Sequence, residues 1–122
     1  MVDTNGVTPG LLVNQFRYKA WANAEILSLI DQIAFDGFPE QWTTAVRLLN
    51  HTFVVDQIFA AHLQGRGHAF VSTNTVATPT LKNLRADIQA SDEWFVAYVG
   101  DLRQSHCVRY WLSSSQTVRA GR

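Results

Sequence analysis

Apolar residues recur along this chain at spacings of three and four, the period of a helix packed on one side. Leu12, Phe16, Ala20, Asn23, Leu27 and Ile30 form the first such stripe. Thr8-Pro9 supplies a cap followed by proline at the first helical position, and Asp36-Gly37 with Pro39 just beyond supplies a stop. The pattern therefore predicts a helix over 9–36. A second is predicted over 44–64, opening near Thr43-Thr44, with Leu48, His51, Val55, Ile58 and His62 on one face. Ala45, Leu49, Phe53 and Phe59 widen its apolar arc. Gly65, Gly67 and the polar, β-branched stretch from Ser72 to Thr78 predict a loop. Thr78-Pro79 repeats the cap signature and opens a third helix over 79–104. Its seam runs through Leu81, Leu84, Ile88, Phe95, Val99 and Leu102, stepping over Ser91 and Asp92. Beyond it Val108, Tyr110 and Leu112 alternate and three serines can turn, so a short hairpin or tail is expected and no fourth long helix. The expectation is an all-α chain, one domain over 1–122: three helices of roughly 30–40 Å, joined by short loops as part of an antiparallel bundle.

Composition narrows the classes. The chain has 122 residues, 47% of them hydrophobic, enough for one buried core. Ten Lys and Arg balance ten Asp and Glu, giving zero formal net charge. That balance argues against nucleic acid as a partner, which a strongly basic domain would serve. It also leaves little self-repulsion, which eases self-association. The single cysteine, Cys107, excludes an intrachain disulfide framework and a cysteine-based zinc cluster. No apolar run approaches a membrane span and no leader pattern opens the chain, so the expected compartment is the cytoplasm, without membrane partners.

The histidines are the first candidates for chemistry. His51 and His62 are eleven residues apart, sharing a helical face but separated by ~16 Å along the axis. A zinc ion needs each nitrogen at ~2.0–2.1 Å, so the two cannot share one. His68 in the loop and His106 after the third helix stand at no spacing that pairs them with another ligand. Arg103 and Arg109 are the only hint of activation at Cys107, which reads as an ordinary thiol. Phe16, Tyr18 and Trp21 read as packing residues, with a ligand pocket the alternative. No glycine-rich phosphate loop or nucleophile-elbow motif occurs.

Three segments carry a family resemblance. Tyr18-Lys19-Ala20-Trp21-Ala22-Asn23, then Leu48-Leu49-Asn50-His51 with Asp56 and Phe59, then Thr80-Leu81-Lys82-Asn83-Leu84-Arg85 together resemble the DinB-like (YfiT-like) metalloenzyme family over roughly 9–104. The resemblance implies a four-helix bundle holding a divalent ion, zinc or nickel, on three histidines. One ligand comes from the second helix, here His51. The other two come from a His-x-x-x-His pair on a fourth helix, where residues four apart share a face. No such pair follows here, so His51 alone carries over, and a metal is expected at low occupancy or not at all. Asp56 is either an acceptor for a metal-bound histidine's second N–H or a plain polar position. Relatives include thiol-S-transferases and a thiol-dependent isomerase, which implies a small thiol or other small-molecule ligand.

A bundle short of one helix leaves an apolar groove. Covering several hundred Å² of it at ~25 cal/mol per Å² is worth several kcal/mol, so a homodimer is expected. Three readings follow: a shortened, dimeric DinB-like protein with an incomplete three-histidine metal site, its metal chemistry lost or borrowed from another chain; a metal-dependent thiol-S-transferase-like enzyme completed across a dimer; or a helical interaction module without chemistry.

Overall fold

The computed structural model describes residues 7–33 and 37–102. They form three helices, α1 (Val7–Gln32), α2 (Pro39–Leu63) and α3 (Leu81–Asp101), and no strand occurs among the described residues. The all-helical expectation holds. The expected hairpin or tail, with His106, Cys107 and the arginines at 103, 109, 119 and 122, lies outside the described residues.

Both later helix starts shift from their expected places for local reasons. Pro39 is not a stop beyond α1 but the opening of α2: Phe38 occupies the cap and its carbonyl accepts from Trp42 N–H at 2.9 Å. A proline there forfeits an N–H that would have had no partner. At α3 the cap is Thr80 rather than Thr78; its hydroxyl accepts from Asn83 N–H at 3.2 Å. Thr78 instead accepts from the Arg47 guanidinium at 3.0 Å. At the end of α2, Arg66 N–H reaches Ala61 O and Gly65 N–H reaches His62 O, the paired closure that needs a left-handed residue, and Gly65 has φ +65°.

The core joins all three helices. Leu27 and Ile30 from α1, Val46 and Leu49 from α2, and Leu84 and Ile88 from α3 form one buried cluster. Further along, Phe16 of α1 stacks on Phe95 of α3 at 5.2 Å between ring centroids, and Trp94 meets Phe95 edge-on at 4.9 Å. The α1 and α3 stripes therefore face inward as their spacing predicts.

Two expectations are corrected. The α2 face predicted from Leu48, His51, Val55, Ile58 and His62 points largely to solvent, and the buried side is Val46, Leu49, Asn50, Val54, Ala60 and Ala61. Apolar residues surround α2, so spacing could not choose its inner side. The second correction concerns direction. Segment 64–80 is no short loop; it runs back along α2. Arg47 Nη2 donates to Thr75 O at 3.0 Å, and Asn50 Nδ2 donates to Thr75 Oγ1 at 2.7 Å. Leu49 consequently packs with Leu84, and Gln57 donates to Ser91 at 3.0 Å, numbers rising together. So α2 and α3 run parallel, and α1 runs antiparallel to both.

Candidate functional site

The direction of the helices brings four polar side chains to the middle of the bundle. Lys19 lies on the inner side of α1, one turn before Asn23; Asp56 comes from α2 and Asp92 from α3. The Lys19 ammonium donates to Asp56 Oδ2 at 2.6 Å and to Asp92 Oδ1 at 2.7 Å. Asn23 Nδ2 donates to the other Asp92 oxygen at 2.9 Å. The side chain of Asp92 is 5% exposed, those of Lys19 and Asp56 31% and 23%. The Phe95 ring closes one side, its centroid 5.9 Å from Lys19 Nζ, at the outer limit of cation–π attraction.

Burial is the largest single influence on Lys19 and works to lower its pKa, but hydrogen bonds to Asp56 and Asp92 and their charges outweigh it. The ammonium is held above its ordinary 10.5. Lys19 is thus a fixed cation at neutral pH and not a nucleophile. Because its folded pKa is raised, the stability it contributes is complete below pH 10.5 and is lost as pH climbs through the higher folded value. We expect the folding stability of the wild type to fall more steeply than that of Lys19→Met above pH ~10.5, in urea titrations at matched pH. Parallel curves would contradict this account of the network.

Asp92 also faces a groove. Between α1 and α3 lies a cavity of about 620 Å³, open to solvent, with no α2 residue in its lining. Its floor is Ala20, Ala24, Leu27, Ile88 and Val96; Arg85, Gln89 and Glu93 stand along the α3 edge. Its size falls within the range of small-molecule sites, ~300–1,000 Å³.

The predicted site residues separate. His51 is exposed on α2, and its Nδ1 lies 2.7 Å from the Thr73 carbonyl. A carbonyl can only accept, so Nδ1 carries a proton, and in the neutral ring Nε2 is then the nitrogen with the free lone pair. Asp56, weighed as an acceptor for a histidine, binds Lys19 instead. His62 and His68, which spacing left apart, are brought together by the returning segment, ring centroids 5.9 Å apart, both exposed. Phe16 goes to the core, whereas Tyr18 and Trp21 touch each other at 5.7 Å and remain exposed. Among the described residues no group of three or more His, Cys, Asp or Glu side chains is placed to hold a metal ion. The described residues therefore do not by themselves fit a three-histidine centre. Nor is any described helix long and apolar enough to cross a membrane.

No protein-family model, no curated protein and no solved structure matches the chain.

Sequence reasoning passed over Lys19 and Asp92 as functional positions. The signal was present: Asp92 sits in the apolar seam of α3, between Ile88 and Phe95, where a carboxylate demands a buried partner. Lys19 and Asn23, four apart, are the pair on α1 able to supply it.

Proposed function

We propose that this chain is a DinB-like helical-bundle protein of the cytoplasm that acts as a homodimeric binding module, its catalysis lost. The observation that carries the reading is the open α1–α3 groove. In a four-helix bundle each helix packs against two neighbours. Here α1 and α3 present an apolar channel on the side away from α2, where a helix from a second copy can lie. The polar network behind it supports a binding role over a reactive one: Lys19 stays protonated and Asp92 is committed on both oxygens.

A second reading has one specific observation in its favour. His51 is exposed with Nδ1 tied to a backbone carbonyl, the arrangement that orients and fixes the tautomer of a ligating histidine. It supports a zinc- or nickel-dependent enzyme of the thiol-S-transferase kind, handling a small thiol, with its remaining ligands supplied across the dimer.

Native mass spectrometry of untagged protein distinguishes the two, since it reports subunit count and bound metal together. A dimer without stoichiometric metal, unchanged by His51→Ala, supports the binding module. About one divalent ion per subunit, lost in His51→Ala, supports the enzyme. A monomer at micromolar concentration overturns both. His51→Ala should cost no more than about 1 kcal/mol of stability, the worth of one exposed hydrogen bond.

A further inference from the structure

The groove is bordered by a row of side chains with an internal order. Leu81, Arg85, Gln89, Glu93 and Ala97 stand four residues apart, one ridge along α3. From its centre at Gln89 the ridge carries a cation four residues toward one end, an anion four residues toward the other, and an apolar residue beyond each. It is antisymmetric in charge.

We infer that the α1–α3 groove is the dimer face, that its occupant is a second copy of this chain, and that Arg85 and Glu93 set its register. This rests on the homodimer reading above and adds the residue pairing that fixes how the two copies meet in that groove. When two copies of a helix lie antiparallel across a two-fold axis, positions equally far on either side of the axis meet. With the axis at Gln89, Arg85 meets the partner's Glu93 and Glu93 meets the partner's Arg85, each ~6 Å from the axis at 1.5 Å per residue. Gln89 meets its own copy, and an amide can both donate to and accept from another. The apolar floor of Leu27, Ile88 and Val96 is then covered between the two copies.

The contacts within one chain leave these charges available. Arg85 donates to Leu27 O at 3.2 Å and lies 3.4 Å from an exposed Asp31 carboxylate, a pair of the weak surface type. Glu93 is exposed and, among the described residues, accepts a long 3.4 Å bond from Gln89. Leu48, Val55 and Phe59, exposed on α2, contain no pair of opposite charges to fix a register, and Tyr18, Trp21 and Leu29, exposed on α1, lie outside the lining of the groove.

Charge reversal tests this, read by sedimentation equilibrium at low salt with helical circular dichroism confirming the fold. The wild-type measurement comes first, because a monomer overturns the homodimer reading itself. Given a dimer, Arg85→Glu and Glu93→Arg should each weaken self-association at least about tenfold, since like charges are set opposite one another twice. Two outcomes restore it. The double variant Arg85→Glu/Glu93→Arg returns to within about threefold of wild type. So does an equimolar mixture of the two single variants, whose heterodimer pairs acid with base at both contacts and needs neither variant to dimerise alone. Single variants that dimerise like wild type, or a mixture that fails to recover, overturn the proposed register. Dissociation by Phe59→Glu with the charge variants inert would move the face to α2 and leave the homodimer standing.

Discussion

Phe95→Ala should lower the unfolding free energy by about 3–5 kcal/mol, the range for an aromatic side chain removed from a packed core. Phe95 is 2% exposed, and three things depend on its ring: the stack with Phe16, the edge contact with Trp94, and one wall of the Lys19 site. Helices α1 and α3 would be left facing each other across the void. The loss corresponds to a fall in Tm of roughly 10–20 °C for a domain of this size. Urea unfolding followed by circular dichroism measures it, at one fixed protein concentration so that any self-association contributes equally to every variant. Phe95→Leu, which keeps most of the volume, should cost about 1–1.5 kcal/mol. A cost below 1 kcal/mol for the alanine variant would mean that the α1–α3 contact is not the one described.

Asp92→Ala is expected to cost about 3 kcal/mol. The substitution removes the better buried of the two carboxylates around Lys19 and strips Asn23 of its acceptor in the same step. Breaking a fully buried ion pair costs ~3–5 kcal/mol, chiefly through the charge left behind; here Asp56 still serves Lys19 and the lysine is partly solvated, so the lower end applies. Asp92→Asn, which retains shape and a carbonyl acceptor but no charge, should lose about 1–2 kcal/mol. The informative variant is the double one. Lys19→Met/Asp92→Leu replaces ions by apolar groups of similar size, so its cost should fall short of the sum of the single variants by about 1–2 kcal/mol. Strict additivity would show that the two side chains are neighbours without being coupled.

The inner faces of two helices were legible beforehand. Leu27 and Ile30 on α1 and Leu84, Ile88, Phe95 and Val99 on α3 were placed in the core from spacing, and they are buried, although α1 also exposes Leu11, Tyr18, Trp21, Ile26, Leu29 and Ile33. On α2 the spacing pointed to the wrong side. Leu48, Val55 and Phe59 are as hydrophobic as Val46, Leu49 and Val54, and what separates them is which side α1 and α3 pack against, with the returning segment hydrogen-bonded to Asn50 and Arg47 on one flank. No local pattern encodes where a distant segment will lie. The parallel run of α2 and α3 was hidden for the same reason, since it depends on residues 64–80 doubling back rather than turning. The Lys19 network was half visible: Lys19 and Asn23 stood inside the segment that carried the family resemblance, and Asp56 was weighed as a polar partner for a different residue. Its third wall, Asp92, was passed over as a gap in a seam.

The ion network also sets a timetable. Lys19 and Asp92 are 73 positions apart, and the Phe16–Phe95 stack spans a similar stretch. At ~5–20 residues per second, a nascent chain waits about 4–15 s between synthesising the lysine and its second carboxylate. By the end of that interval α1 and α2 have been made, with their inner faces still uncovered. The two-helix stage has a partial counter-charge in Asp56 but no aromatic partner for Phe16. Its exposed leucines and aromatics are the kind of surface that chaperones hold and that proteases cut. The third helix therefore fastens the first, and a ribosome that stalls before Asp92 leaves a chain in which α1 has no complete α3 to close against.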